Sequence, residues 1–118
     1  MFRHGSLPDT QIMRKTVLAV SLSLLACSYP ALAGDTKKGK QVFTEEAQPS
    51  CTVCHTLSDA GSSGTIGPDL DEMKPSREQV INAVTGGVGI MPAFNESLSS
   101  EQIEALADYI VEVAGATR

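Results

Sequence analysis

Apolar residues recur at helical spacing most clearly near the C-terminus. Ile103, Leu106, Ala107, Ile110, Val113 and Ala114 fall on one stripe, with Glu101, Glu104, Asp108 and Glu112 on the face turned to water. Ser99 supplies an N-cap, Gln102 completes a capping box, Leu98 can staple onto Ile103, and Gly115 ends the helix. Ser76 and Gln79 repeat the capping box ahead of Val80, Ile81, Ala83 and Val84, a second helix stopped by Gly86-Gly87. Residues 35–46 predict another helix, capped by Asp35 or Thr36 and ended by Pro49. Gly39 inside it costs about 1 kcal/mol relative to alanine, so another backbone is expected to approach closely there. Residues 58–72, rich in Gly, Ser and Asp, read as a loop ending in Gly67-Pro68-Asp69-Leu70. The stretch from Thr85 to Phe94 holds three glycines and one proline, a loop able to press its backbone against something flat. Three short helices joined by loops, with no internal repeat, make an all-α chain.

The N-terminal third follows a different pattern. Arg14 and Lys15 precede the apolar run from Val17 to Ala26, and Ala31-Leu32-Ala33 fits a small-x-small cleavage site before Gly34. The run falls short of the roughly 20 residues a membrane span needs. Residues 1–33 are therefore expected to be a cleaved secretory signal peptide, with Met13 as an alternative start. Leu24-Leu25-Ala26-Cys27 also resembles a lipobox, the alternative being a mature chain anchored through lipidated Cys27. Either reading places the protein outside the cytoplasm. The mature chain, 34–118, is then one 85-residue domain without a transmembrane span.

Composition narrows the function classes. The mature chain's aromatic residues are Phe43, Phe94 and Tyr109. A domain this small often needs a stabilising cofactor or crosslink. Six Lys and Arg stand against thirteen Asp and Glu in 34–118, a formal charge of −7. That balance argues against nucleic acid and anionic membrane as partners.

The chemistry centres on Cys51-Thr52-Val53-Cys54-His55. A Cys-x-x-Cys-His run is a site of covalent c-type haem attachment. Two thiols add across the two vinyl groups of one haem, and the adjacent histidine falls beneath the iron as an axial ligand. The alternatives are a zinc half-site, which lacks the second ligand pair a tetrahedral site requires, and a dithiol redox motif, which lacks a βαβ context. His55 is the sole histidine after the leader, which excludes a second histidine on the iron. Met73 and Met91 remain. Met73 sits among Asp71, Glu72, Lys74 and Pro75, a context suited to a surface turn, whereas Met91 lies in the uncharged Gly-rich loop before Pro92. Met91 is the expected second axial ligand, with lysine or water as the alternatives.

Taken in order, Gly39-x-x-x-Phe43, Cys51-x-x-Cys54-His55, Gly67-Pro68-x-Leu70, Met91-Pro92 and Leu106-x-x-Tyr109 resemble a class I monohaem cytochrome c of the short bacterial kind, over nearly all of 35–115. The resemblance implies that fold, with three main helices wrapped around one covalent haem c and its iron. It implies that the Gly39/Phe43 helix crosses the Leu106/Tyr109 helix, and that the Pro68 carbonyl accepts a hydrogen bond from His55. It implies a periplasmic one-electron carrier, not an enzyme, working between a dehydrogenase and a terminal oxidase or another cytochrome. The stretch from Thr65 to Phe94 looks most like cytochromes that serve sulfite dehydrogenases. The rivals are a haem subunit bound tightly to such a dehydrogenase, and a ligand-binding haem protein with a labile Met91. In this family the exposed haem edge is bordered by the attachment motif and the distal loop. Here those segments, Cys51 to Leu57 and Thr85 to Phe94, carry no Asp, Glu, Lys or Arg. Val88, Ile90, Pro92 and Ala93 are the candidate partner contacts, simple haem packing being their other reading.

Overall fold

The computed structural model describes Gly5 and residues 33–115. Apart from Gly5 and Ala33, the expected leader, its Met13 start and Cys27 lie outside the described residues. Four α-helices form among the described residues: α1 (Ala33–Gln41), α2 (Leu70–Met73), α3 (Arg77–Gly86) and α4 (Ser100–Val113). The fold is all-α, as expected, with one more short helix than the three foreseen. None of the described helices is long and apolar enough to cross a membrane.

Both capping boxes form. Ser76 and Ser99 each accept from the backbone N–H three residues on at 3.2 Å, and donate their own N–H to the Gln79 and Gln102 side chains at 2.8 Å. Gly115, at φ +70°, follows the end of α4. Burial on α4 is wider than its predicted stripe, because α1 packs on one flank and α3 on another. Ala105, Tyr109 and Val111 are buried as well, while Val113 is half-buried. Tyr109 tolerates complete burial because its hydroxyl donates to Asp59 at 2.7 Å. Lys40 pairs with the same carboxylate at 3.1 Å. The Tyr109 hydrogen bond first, and the Lys40 bond after it, hold the Asp59 carboxyl below its ordinary value. A depressed carboxyl contributes stability above its unfolded value of about 3.9, and that contribution is lost as pH falls through the lower folded value.

The glycine in α1 has the expected role. A Cβ on Gly39 would collide with the Ala105 carbonyl oxygen and lie 2.8 Å from the Ala105 carbonyl carbon. The two backbones are too close for any side chain. Gly39→Ala should therefore lower stability by about 1–3 kcal/mol through overpacking, although alanine alone would favour the helix by about 1 kcal/mol. A thermal melt of the haem-loaded protein checks this, a raised midpoint being the contrary result.

Three local expectations require correction. The first helix does not begin at a cap on Asp35 or Thr36, since it already includes Ala33. Thr36 instead donates its hydroxyl to Glu112 of α4 at 2.9 Å. Nor does that helix run evenly to residue 46. It widens into a π-turn over Val42–Glu46, closed by Ala47 N–H to Val42 C=O at 3.0 Å. The turn buries Val42 and Phe43, whose ring meets Tyr109 edge-on at 6.1 Å. Lastly, the loop 58–72 is partly regular. Strand β1 (Thr56–Leu57) pairs antiparallel with β2 (Ser62–Ser63), and α2 is capped by the Asp69 carboxylate. Two-residue strands and a one-turn helix are too short to show any period; buried Leu57 and Leu70 hold them through tertiary contact.

Candidate haem site

The attachment motif is held from its N-terminal side. Ser50 caps the short helical turn Cys51–Val53, accepting from Thr52 N–H at 3.3 Å. Its hydroxyl also lies 3.1 Å from the carbonyl oxygens of Phe43 and Thr44, on the π-turn. The widened end of α1 thus grips the residue before Cys51. Within the turn, His55 N–H bonds to Cys51 C=O at 3.0 Å, which winds both cysteines and the histidine onto one turn of chain. Cys51 and Cys54 are each partly buried, and neither is in a disulfide among the described residues. Burial pushes the Cys51 thiol up to about 11; a local backbone hydrogen bond opposes the rise and neighbouring Cys54 adds to it.

Beyond the motif, the chain returns against His55. Gly67 N–H bonds to Cys54 C=O at 2.7 Å. A Cβ on Gly67 would lie 2.6 Å from His55 Cε1, so only glycine lets the backbone pass the ring. The next carbonyl, that of Pro68, lies 2.8 Å from His55 Nδ1. With Nδ1 donating to it, Nε2 is the ring nitrogen with no protein hydrogen bond among the described residues. Gly64 packs equally tightly on the motif backbone, where a Cβ would lie 2.7 Å from the Cys54 carbonyl carbon.

Met91 arrives from a separate segment. Val88 and Met91 exchange backbone hydrogen bonds at 3.1 and 2.9 Å across Gly89-Ile90, a tight turn whose first central residue, Gly89, has φ +57°. Phe94 N–H then bonds back to Val84 C=O of α3 at 2.8 Å, fixing the loop to the fold. Gly87, at φ +73°, leaves room for the Met91 carbonyl.

These pieces meet at one cavity of about 320 Å³, within the usual range of ligand pockets. Cys51, Cys54, His55, Pro68 and Met91 all line it, over an apolar base that includes Phe43, Leu70, Leu106 and Ile110. Met73, at the end of α2, lines it too, although the residue is 52% exposed. The surface-turn reading of Met73 therefore missed its place at the cavity. Two unpaired thiols on one turn, an oriented imidazole, a thioether and an apolar wall are the donor set and surroundings that suit a covalently attached haem.

Fold and site together define a class I, monohaem c-type cytochrome. Residues 34–110 match the family described as "Cytochrome C oxidase, cbb3-type, subunit III", and the chain belongs to this family of c-type cytochrome domains. Cytochrome c6 of Gloeothece citriformis (strain PCC 7424) is 34% identical over 110 residues, covering 86% of this chain and 96% of the relative. Cytochrome c6 of Nostoc sp. (strain PCC 7120 / SAG 25.82 / UTEX 2576) is 33% identical, covering 90% and 96%. Among solved structures, the c-type cytochrome SorU from Sinorhizobium meliloti is 49% identical with a TM-score of 0.68, covering 71% of this chain and 95% of that one. The chain is a haem c electron carrier with one covalently bound haem c and its iron.

Proposed function

We propose that this chain is a periplasmic one-electron carrier in which Cys51 and Cys54 form the thioether bonds and His55 and Met91 are the axial ligands. The convergence of these four residues on one apolar cavity, with His55 Nδ1 held by the Pro68 carbonyl, is the observation that carries the reading. The haem supplies an iron that accepts and returns one electron. The chain's own residues do the rest. Pro68 fixes the imidazole's tautomer and makes it a more basic ligand. The Val88–Met91 turn brings a soft thioether, which favours the reduced metal and raises the potential. With His55 and Met91 both holding the iron, no position would be left on it for a substrate, and the role would be transfer rather than catalysis. Residues 1–33 direct export, and the mature chain begins at Gly34.

A dehydrogenase is the proposed donor, a sulfite dehydrogenase being favoured by the resemblance of Thr65 to Phe94. The acceptor is a terminal oxidase or another cytochrome. Ile90 and Val88 line the mouth of the haem cavity, on a segment free of charged side chains. A small uncharged contact suits brief redox encounters, whose interfaces fall below about 1,200 Å². Stopped-flow mixing of the ferric protein with a sulfite dehydrogenase turning over sulfite tests this. Haem reduction is expected, slowed about tenfold or more by Ile90→Glu and little by Glu104→Gln or Glu112→Gln. A steep salt dependence abolished by the two Gln substitutions would mean that charge directs docking. No reduction at all would exclude sulfite dehydrogenase as the donor.

A further inference from the structure

We propose that Asp71 is a positioning residue for His55: its carboxylate, bonded to Ser58, holds the Pro68 carbonyl on the imidazole and so tunes the iron. This rests on the reading of His55 as an axial ligand. Among the links between Cys54–Ser58 and the returning chain, three span thirteen residues each. Cys54 C=O takes Gly67 N–H at 2.7 Å, His55 Nδ1 bonds Pro68 C=O at 2.8 Å, and Ser58 bonds Asp71. The third is the one made by a charged side chain. One oxygen, Asp71 Oδ2, accepts both the Ser58 N–H and the Ser58 hydroxyl, each at 2.7 Å. Hydrogen bonds to a carboxylate at that length are among the stronger ones.

Asp71 matters because, beyond the Gly67 N–H to Cys54 C=O bond, the segment that carries Pro68 is continued only by a short helix. Helix α2 is one turn of four residues, too short to persist alone. Its N-cap is Asp69, directly after Pro68, and the Asp69 carboxylate accepts from Asp71 N–H at 2.9 Å and Glu72 N–H at 3.3 Å. Burial of Leu70 holds one side of this turn, and Asp71 ties it to Ser58. Ser58 is itself a firm anchor. Its neighbour Asp59 takes the Tyr109 hydroxyl and the Lys40 ammonium, which fasten it to α4 and α1. The other reading of Asp71 is an acidic residue that merely favours the start of α2. That reading gives no reason for its two bonds to a residue thirteen positions away.

The sign follows from ligand basicity. An acceptor on Nδ1 makes the imidazole a better donor to iron and favours the ferric state. Loosening Pro68 should raise the potential. Removing the Asp71 charge would act in the same direction, so two variants are needed. Asp71→Ala removes charge and acceptor, whereas Asp71→Asn removes the charge but keeps an oxygen for Ser58. The test uses the haem-loaded protein, with a potentiometric titration and NMR measurement of the exchange rate of the His55 Nδ1 proton in the ferrous state. Asp71→Ala should speed exchange about tenfold and lower the ferric-to-ferrous ratio at the wild-type midpoint about threefold. Asp71→Asn should keep near-wild-type exchange and shift the ratio less. Ser58→Ala, which spares the backbone donor, should speed exchange about threefold. Unchanged exchange in Asp71→Ala, equal effects in the Ala and Asn variants, or unchanged exchange in Ser58→Ala where Asp71→Ala loses its haem, would each overturn the proposal. Failure of the ligand reading is distinct: His55 ring protons of the wild-type ferrous protein would then lack the large upfield displacement of an imidazole on a haem face.

Discussion

Replacing both Cys51 and Cys54 with Ser is expected to leave a chain that does not fold. Serine cannot form the thioether bonds, and Phe43, Leu70, Val84, Leu106 and Ile110 would then line about 320 Å³ of apolar cavity. At about 24 cal/mol per Å³, a cavity of that size costs on the order of 8 kcal/mol. A domain of this length has a total stability of roughly 4–12 kcal/mol, so the loss consumes most or all of it. Collapse of the walls would recover part of the cost. It would also undo the α3 and Val88–Met91 positions that the cavity requires. Far-UV circular dichroism with thermal melting decides the matter. A cooperative, native-like helical transition in the double variant would refute the dependence of fold on haem.

Met91→Ala is expected to retain covalent haem while opening the iron to added ligands such as imidazole or cyanide. Its potential should fall by on the order of 0.1 V, a modest part of the roughly 0.8 V that axial ligation spans. The comparison with Met73→Ala is informative because both thioethers line the cavity. Met91 is half-buried and its backbone is fixed by two hydrogen bonds to Val88. Met73 is 52% exposed, at the end of a one-turn helix, ahead of Lys74 at φ +47°. A ligand needs a defined position, which favours Met91. Spectral titration with imidazole checks the assignment. Ligand binding in Met73→Ala but not in Met91→Ala would reverse it.

The legible parts of this protein were those that carry local chemistry. Two capping boxes marked the starts of α3 and α4 because each is a self-contained exchange of hydrogen bonds within four residues. Gly39 announced a close backbone contact because nothing else justifies glycine inside a helix. The Cys51–His55 run announced its chemistry because its spacing serves one reaction. What stayed hidden was set by distant partners. Tyr109 was outside the predicted stripe of α4, and although the resemblance put it at the crossing with α1, its bond to Asp59 fifty residues away was not foreseen. The π-turn at Val42–Glu46 has no pattern of its own, and its carbonyls are met by Ser50. Gly67 was visible as a turn residue, but its need to clear the His55 ring was not. Asp71 looked like any acidic residue in a surface turn until Ser58 was seen against it.

The central claim is that His55 and Met91 hold one covalent haem in a one-electron carrier. Oxidised and reduced visible spectra, taken through a potentiometric titration of the native protein, test it most directly. The expected result is a low-spin c-type spectrum in both states, with the weak long-wavelength band of thioether-bound ferric iron, following a single one-electron Nernst curve. A high-spin ferric spectrum without that band, or haem extracted by acidified solvent, would contradict it.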